Sequence, residues 1–97
     1  MSIIYVITNK INNKQYVGKT SFSIEKRFQE HIYDSKKQNY TKNRPLYNAF
    51  NKYGIDNFSI EILEEVLDNE VDEREKYWIA KLNTYNNGYN ATLGGDG

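Results

Sequence analysis

Two short runs near the start of the chain, Ile3 to Thr8 and Gln15 to Lys19, are dominated by β-branched and aromatic side chains. They are separated by Asn9-Lys10-Ile11-Asn12-Asn13-Lys14. Asparagine tolerates the left-handed backbone conformations that tight turns require, so the pattern predicts a β-hairpin and gives the fold at least one antiparallel strand pair. With Asn12-Asn13 at the tip, Ile7 is expected opposite Gly18 and Asn9 opposite Tyr16. Side chains alternate along a strand, which puts Tyr5, Ile7, Tyr16 and Gly18 on one face. Gly18, lacking a side chain, is expected to leave open space beside Tyr16.

Beyond the hairpin the periodicity lengthens. Ser21 or Ser23 is placed to cap a helix running to about Lys37, with Ile24, Phe28 and Ile32 at every fourth position and Arg27 and His31 in the neighbouring row. Arg44-Pro45 followed by Leu46, Tyr47, Ala49, Phe50 and Tyr53 predicts a second helix, opened by proline and closed by Gly54. Phe58, Ile60 and Ile62 alternate with Ser59 and Glu61, as in a third strand. Asp68 or Asn69 is then expected to cap a helix with Val71, Glu75, Trp78, Ile79 and Leu82 on one face. Past Leu82 the periodicity fails, and Asn86-Asn87-Gly88 and Gly94-Gly95-Asp96-Gly97 have the composition of turn and linker.

Ninety-seven residues suffice for one domain and one modest core. No stretch approaches the roughly 20 apolar residues of a membrane span, and the region after Met1 lacks the basic start and apolar run of a signal peptide, so a soluble intracellular protein is expected. With no cysteine, thiolate metal sites are excluded, one histidine argues against an imidazole-built site, and a bound metal is expected to take oxygen ligands. The net charge of zero hides a division. Residues 1–55 carry ten basic and three acidic side chains, and residues 56–97 carry three and ten. In the first part Lys36, Lys37, Lys42, Arg44 and Lys52 alternate with Tyr40, Tyr47 and Tyr53, with no acid between Ser35 and Ile55. Together with Lys19 these are candidate DNA contacts; the alternative is an ordinary solvated basic surface.

Glu75 is the one charged member of an apolar helical stripe, where a bare carboxylate is costly unless a cation meets it or it bends out to water. Mg²⁺ needs only one or two protein carboxylates, because it keeps several waters and takes substrate oxygens. Tyr5 and Tyr16 share a strand face. A phenol has a pKa of about 10 and is ionised only about one part in a thousand at neutral pH, so a tyrosine acting as general base needs nearby positive charge. Arg27 and a metal are candidates to supply it. His31 is placed to orient Arg27, to contact a phosphate or to move a proton, or else to bond to backbone. Asn90, in Gly88-Tyr89-Asn90, by itself indicates only a turn.

In order along the chain, Ile3-Ile4-Tyr5, Tyr16-Val17-Gly18, Glu25 to His31, Asn51-Lys52-Tyr53-Gly54, Glu73 to Ile79 and Gly88-Tyr89-Asn90 resemble the motifs of the GIY-YIG nuclease family, in particular the catalytic domains of phage intron-homing endonucleases. The resemblance covers Ile3 to Gly95. It implies an α+β fold with a small three-stranded antiparallel sheet flanked by about three helices, and residues 1–92 as the nuclease domain with 93–97 opening a linker to absent DNA-reading modules. It implies a Mg²⁺-dependent endonuclease, with Mn²⁺ substituting, that hydrolyses double-stranded DNA. By this match Tyr5, Tyr16, Arg27, His31, Glu75 and Asn90 are the site residues and Glu75 holds the metal. Tyr5 is the favoured base and Tyr16 positions water or phosphate, with the reverse assignment left open. The fragment is expected to be monomeric and cytoplasmic, phage-encoded in a bacterial host. The alternatives are a nuclease-like DNA- or RNA-binding module without catalysis, or a restriction or repair nuclease of the same family. Two departures stand out: Ile3 occupies a position where the family usually has glycine, and residues 39–44 hold no counterpart to an additional histidine found in some homing members.

Overall fold

The computed structural model describes residues 1–37 and 44–94. Strand β1 (Ser2–Asn9) lies between β2 (Gln15–Thr20) and β3 (Phe58–Val66), and both pairings are antiparallel. As the central strand, β1 has a continuous apolar run rather than an alternating one: Ile4, Tyr5, Val6 and Ile7 are all buried, because both faces of the sheet are covered. On one face Tyr5, Ile7 and Phe58 pack with Leu46, Tyr47, Ala49 and Phe50 of helix α2 (Pro45–Tyr53), flanked by Ile24, Phe28 and Ile32 of helix α1 (Ile24–Ser35). On the other, Ile4, Val6, Val17 and Val66 pack against Ile79 of helix α3 (Val71–Leu82), with Trp78 and Leu82 at the margin. The antiparallel sheet flanked by three helices is the α+β architecture expected.

The hairpin register differs from expectation by two residues. Tyr5 faces Gly18 and Ile7 faces Tyr16, because the loop closes early: Asn9 and Lys14 pair, the Asn13 N–H reaches the Asn9 carbonyl at 2.7 Å, and Asn13 takes a left-handed φ of 64°. A shift of two keeps every side chain on its own face, so Tyr5, Ile7, Tyr16 and Gly18 still share one. The space at Gly18 is filled, contrary to expectation. A Cβ built there would lie 2.3 Å from the Tyr5 hydroxyl oxygen, so the phenol crosses directly over the glycine.

Helix α1 starts at the Ser23 cap, whose hydroxyl accepts the Lys26 N–H at 3.2 Å, and α2 starts at Pro45 and ends at Gly54. The start of α3 departs from the sequence reading. A short 3₁₀ turn over Asp68–Glu70 precedes the helix, whose cap position is Glu70 with no side-chain bond. Asp68 is used elsewhere, accepting the Ser2 hydroxyl at 2.7 Å and pairing with the N-terminal ammonium. Strand β3 is longer than its alternating stretch. A bulge opposite Ile4 and Tyr5 leaves Leu63 as an extra residue, and this moves Val66 from the α1/α2 face to the α3 face.

The segment after α3 is more ordered than its linker-like composition suggested. It forms a short helix α4 (Thr84–Asn87), then runs along the free edge of β2, where the Tyr89 N–H donates to the Gln15 carbonyl at 2.9 Å. Gly88 makes that approach possible, since a Cβ there would meet the Gln15 carbonyl oxygen at 2.3 Å. An exposed strand edge is thereby covered.

Candidate active site

Where β2 meets this segment, a cavity of about 440 Å³ opens between the two helical layers. Each element delivers its residue for a local reason. Strand alternation brings Tyr5 and Tyr16 to the same side, with ring centroids 6.4 Å apart. One turn of α1 separates Arg27 from His31, and α3 presents Glu75 from its buried stripe. Tyr5, Tyr16, Arg27, His31, Glu75 and Asn90 all line this cavity. The five separate stretches that carry them therefore converge.

The phenol of Tyr5 is fully buried, and its oxygen lies 2.7 Å from His31 Nε2. Burial holds its pKa far above the ordinary tyrosine value, Tyr16 adds to the rise, and Arg27 opposes it. Tyr16 is also raised by burial. There Arg27 lowers and Glu75 raises, so the second phenol feels both the guanidinium and the carboxylate. Arg27 pairs with Glu30 at 3.3 Å.

His31 bonds to side chains rather than to backbone. Only 1 % exposed, it bridges two phenols, with Nε2 at the Tyr5 oxygen and Nδ1 2.9 Å from the Tyr47 oxygen. Burial, reinforced by Arg27 and Arg44, pushes its pKa down to about 3, so the ring is neutral across the physiological range.

Glu75 is 8 % exposed, and a cation does meet it: the Lys19 ammonium lies 3.8 Å from Glu75 Oε1 and also pairs with Asp72, one turn back on α3. Lys19 is therefore engaged at the acidic end of the cavity rather than on an open basic face. Gly94, read as linker, packs against Ile79, and a Cβ there would come within 3.3 Å of Glu75 Oε1. Among the described residues no group of three acidic or imidazole ligands gathers. The donor chemistry fits a hard, mostly hydrated cation on one carboxylate, and the ammonium beside Glu75 marks a position that accepts positive charge.

Asn90 does more than turn the chain. Its Oδ1 accepts the Val17 N–H at 2.8 Å and its Nδ2 donates to the Val17 carbonyl at 2.9 Å, so a side chain imitates a neighbouring strand directly after Tyr16. Of the remaining basic candidates, Arg44 lines the cavity with its guanidinium over the Tyr47 ring. Lys36 and Lys37 follow α1, and Lys52 lies in the last turn of α2 over Tyr53; none of the three reaches the cavity. Lys42 and residues 39–43 of the missing histidine's region lie outside the described residues. Tyr47, which the sequence reading named only in the α2 pattern and among the aromatics interleaved with the basic residues, is buried and bonds to His31.

Comparison with known proteins identifies the family and the fold. The model of the GIY-YIG catalytic domain matches residues 1–90. Intron-associated endonuclease 1 of Enterobacteria phage T4 is 42 % identical over 96 residues, which make up 94 % of this chain and 38 % of that protein. Putative endonuclease segB of the same phage is 42 % identical over 97 residues, 96 % of this chain and 38 % of that protein. The chain thus spans well under half the length of these relatives. Among solved structures, the catalytic domain of the homing endonuclease I-TevI superposes with a TM-score of 0.80 at 38 % identity, covering 95 % of this chain and 99 % of that one. A form of the same domain with one glutamate replaced by alanine gives 0.82 at 39 % identity, covering 94 % and 93 %.

Proposed function

The chain belongs to the GIY-YIG family as an endonuclease catalytic domain similar to that of a phage homing endonuclease, and from that premise we propose that it hydrolyses phosphodiester bonds of double-stranded DNA with a divalent cation held at Glu75. The observation carrying this reading is the single cavity shared by two phenols, a guanidinium and a buried carboxylate. Glu75 would hold Mg²⁺ or Mn²⁺ by one carboxylate, and the cation would supply stabilisation of the charge on the phosphoryl group and the leaving 3′ oxygen.

This chain's own residues do the rest. Arg27, at the cavity wall, neutralises charge that builds on the phosphoryl oxygens as water attacks. Ionised Tyr5, stabilised by Arg27, accepts a proton from that water, and Tyr16, in the field of Arg27 and Glu75, orients water or phosphate. Asn90 fixes the backbone that carries Tyr16. As the bond from phosphorus to the attacking oxygen forms, the bond to the 3′ oxygen breaks. A homing role would depend on sequence-reading modules in addition to this domain, and the domain itself is proposed to act as a monomer.

Conversion of supercoiled plasmid to nicked or linear forms, assayed with Mg²⁺, with Mn²⁺ and with chelator, tests the reading. Cleavage with either cation, none with chelator and none in Glu75→Gln is expected. A chain that retains DNA but cuts under no condition would instead be a binding module. Thermal stabilisation by Mn²⁺ that disappears in Glu75→Gln gives a second, activity-independent readout.

A further inference from the structure

A positive charge already faces the Glu75 carboxylate, and it belongs to the chain itself. Lys19 projects from β2, and its ammonium is shared by two carboxylates one turn apart on α3: it pairs with Asp72 and lies 3.8 Å from Glu75 Oε1. The two acids differ in setting. The Glu75 side chain keeps 11 % of its surface and lines the cavity, whereas the Asp72 side chain keeps 59 % and does not line it. A carboxylate this far from water is costly without a positive neighbour, and Lys19 supplies one. The same ammonium repels any cation that binds to Glu75.

We propose that Lys19 is a positioning residue that exchanges with the divalent cation: in the metal-free domain its ammonium neutralises Glu75 at the cavity wall, and when a cation binds there it withdraws onto Asp72. The inference rests on the reading of Glu75 as the cation's ligand and deepens it. Glu75 has little room to move, being held in the buried stripe of α3 with Ile79, and a Cβ on Gly94 would come within 3.3 Å of Oε1. Lysine carries its charge on a flexible stem, so it is the partner that yields. Asp72 gives the ammonium a place that is both paired and wetter, and no charge is stranded by the exchange. Linkage then fixes the sign of the effect. Whatever Lys19 contributes to the metal-free domain through Glu75 is subtracted from the affinity of that carboxylate for a cation, so Lys19 sets how much cation the site requires.

The test is Mn²⁺ titration of the 97-residue chain followed by electron paramagnetic resonance, with thermal unfolding in chelator and in saturating Mn²⁺. Lys19→Met keeps the apolar stem and removes the charge. It should bind Mn²⁺ about tenfold tighter than wild type and melt lower in chelator, with the gap in melting temperature narrowing in Mn²⁺. Lys19→Gln gives the same readout should Lys19→Met not fold, and Lys19→Arg, which keeps the charge, should show no tightening. Asp72→Asn removes the second place for the ammonium and should weaken binding about threefold, but by less when combined with Lys19→Met. Mn²⁺ binding that is no tighter in Lys19→Met, or an equal loss from Asp72→Asn in both backgrounds, overturns the exchange and leaves Glu75 as the ligand. Mn²⁺ binding undiminished in Glu75→Gln overturns the cation site itself, so the two failures are told apart.

Discussion

The Asn90 side chain grips the backbone of Val17 at two points, 2.8 and 2.9 Å, and so fixes the strand that carries Tyr16 from its otherwise open edge. Val17 is fully buried, so breaking the grip leaves a peptide N–H and C=O with no water to take them. Asn90→Ala should cost about 2–3 kcal/mol in urea unfolding and lower kcat along with stability. Asn90→Asp, which retains the acceptor but faces the Val17 carbonyl with an oxygen, should be no better. Wild-type stability in Asn90→Ala would rule the clamp out.

Gly18→Ala places a methyl group on the Tyr5 hydroxyl. The phenol must swing away, at about 1–3 kcal/mol for an overpacked site. Displacement of a reacting group by about 1 Å is enough for a loss on the order of 10²-fold in kcat. A crystal structure of the variant with Tyr5 unmoved, or undiminished cleavage, would contradict the packing described.

The two phenols separate kinetically. Tyr5→Phe should abolish the rising limb of the pH–rate profile, whereas Tyr16→Phe should lower the rate and keep the limb, because Tyr16 orients rather than accepts. The reverse outcome exchanges their roles.

His31 makes the fold acid-sensitive. Its folded pKa of about 3 lies below the ordinary value of 6.5, so between these the unfolded chain binds a proton that the folded chain does not. The contribution is complete above about pH 6.5 and is lost as pH falls toward 3, on the order of a few kcal/mol in all. Unfolding free energies measured from pH 7 to pH 4 should fall more steeply for wild type than for His31→Gln. Parallel curves would mean that the ring titrates normally.

DNA binding by the domain alone should be weak and strongly dependent on salt. Arg27 and Arg44 contact the cavity, while Lys19 is already paired with Asp72 and Glu75. Each phosphate contact adds about one to the slope of log K against log salt, so binding falls steadily as salt rises, with little sequence preference. Nanomolar, sequence-selective binding at physiological salt would overturn this.

What the residues disclosed in advance was what depends on local repetition. Strand alternation put Tyr5, Tyr16 and Gly18 on one face, and that held although the hairpin register slipped by two, because an even slip changes partners and not faces. Helical spacing placed Arg27 beside His31 and exposed Glu75 as an anomaly. The family motifs then named the site. What stayed hidden depends on approach between segments far apart in sequence: the Asn90 grip on Val17, the Lys19 ammonium at Glu75, and Tyr47 at the far side of His31. Tyr47 reads as one more apolar residue of an amphipathic helix, and no period distinguishes a phenol that packs from a phenol that also bonds. The β3 bulge was hidden for a related reason. Its extra residue, Leu63, is as apolar as its neighbours and is marked as extra only by the register against β1.

The crossing of Tyr5 over Gly18 makes this nuclease genetically brittle at one codon. Every glycine codon begins with two guanines, and any change to either installs a side chain or a stop, so a single base substitution there strikes the proposed proton acceptor from beneath. For a gene whose product is proposed to cut DNA, that is a short route from an active allele to a silent one.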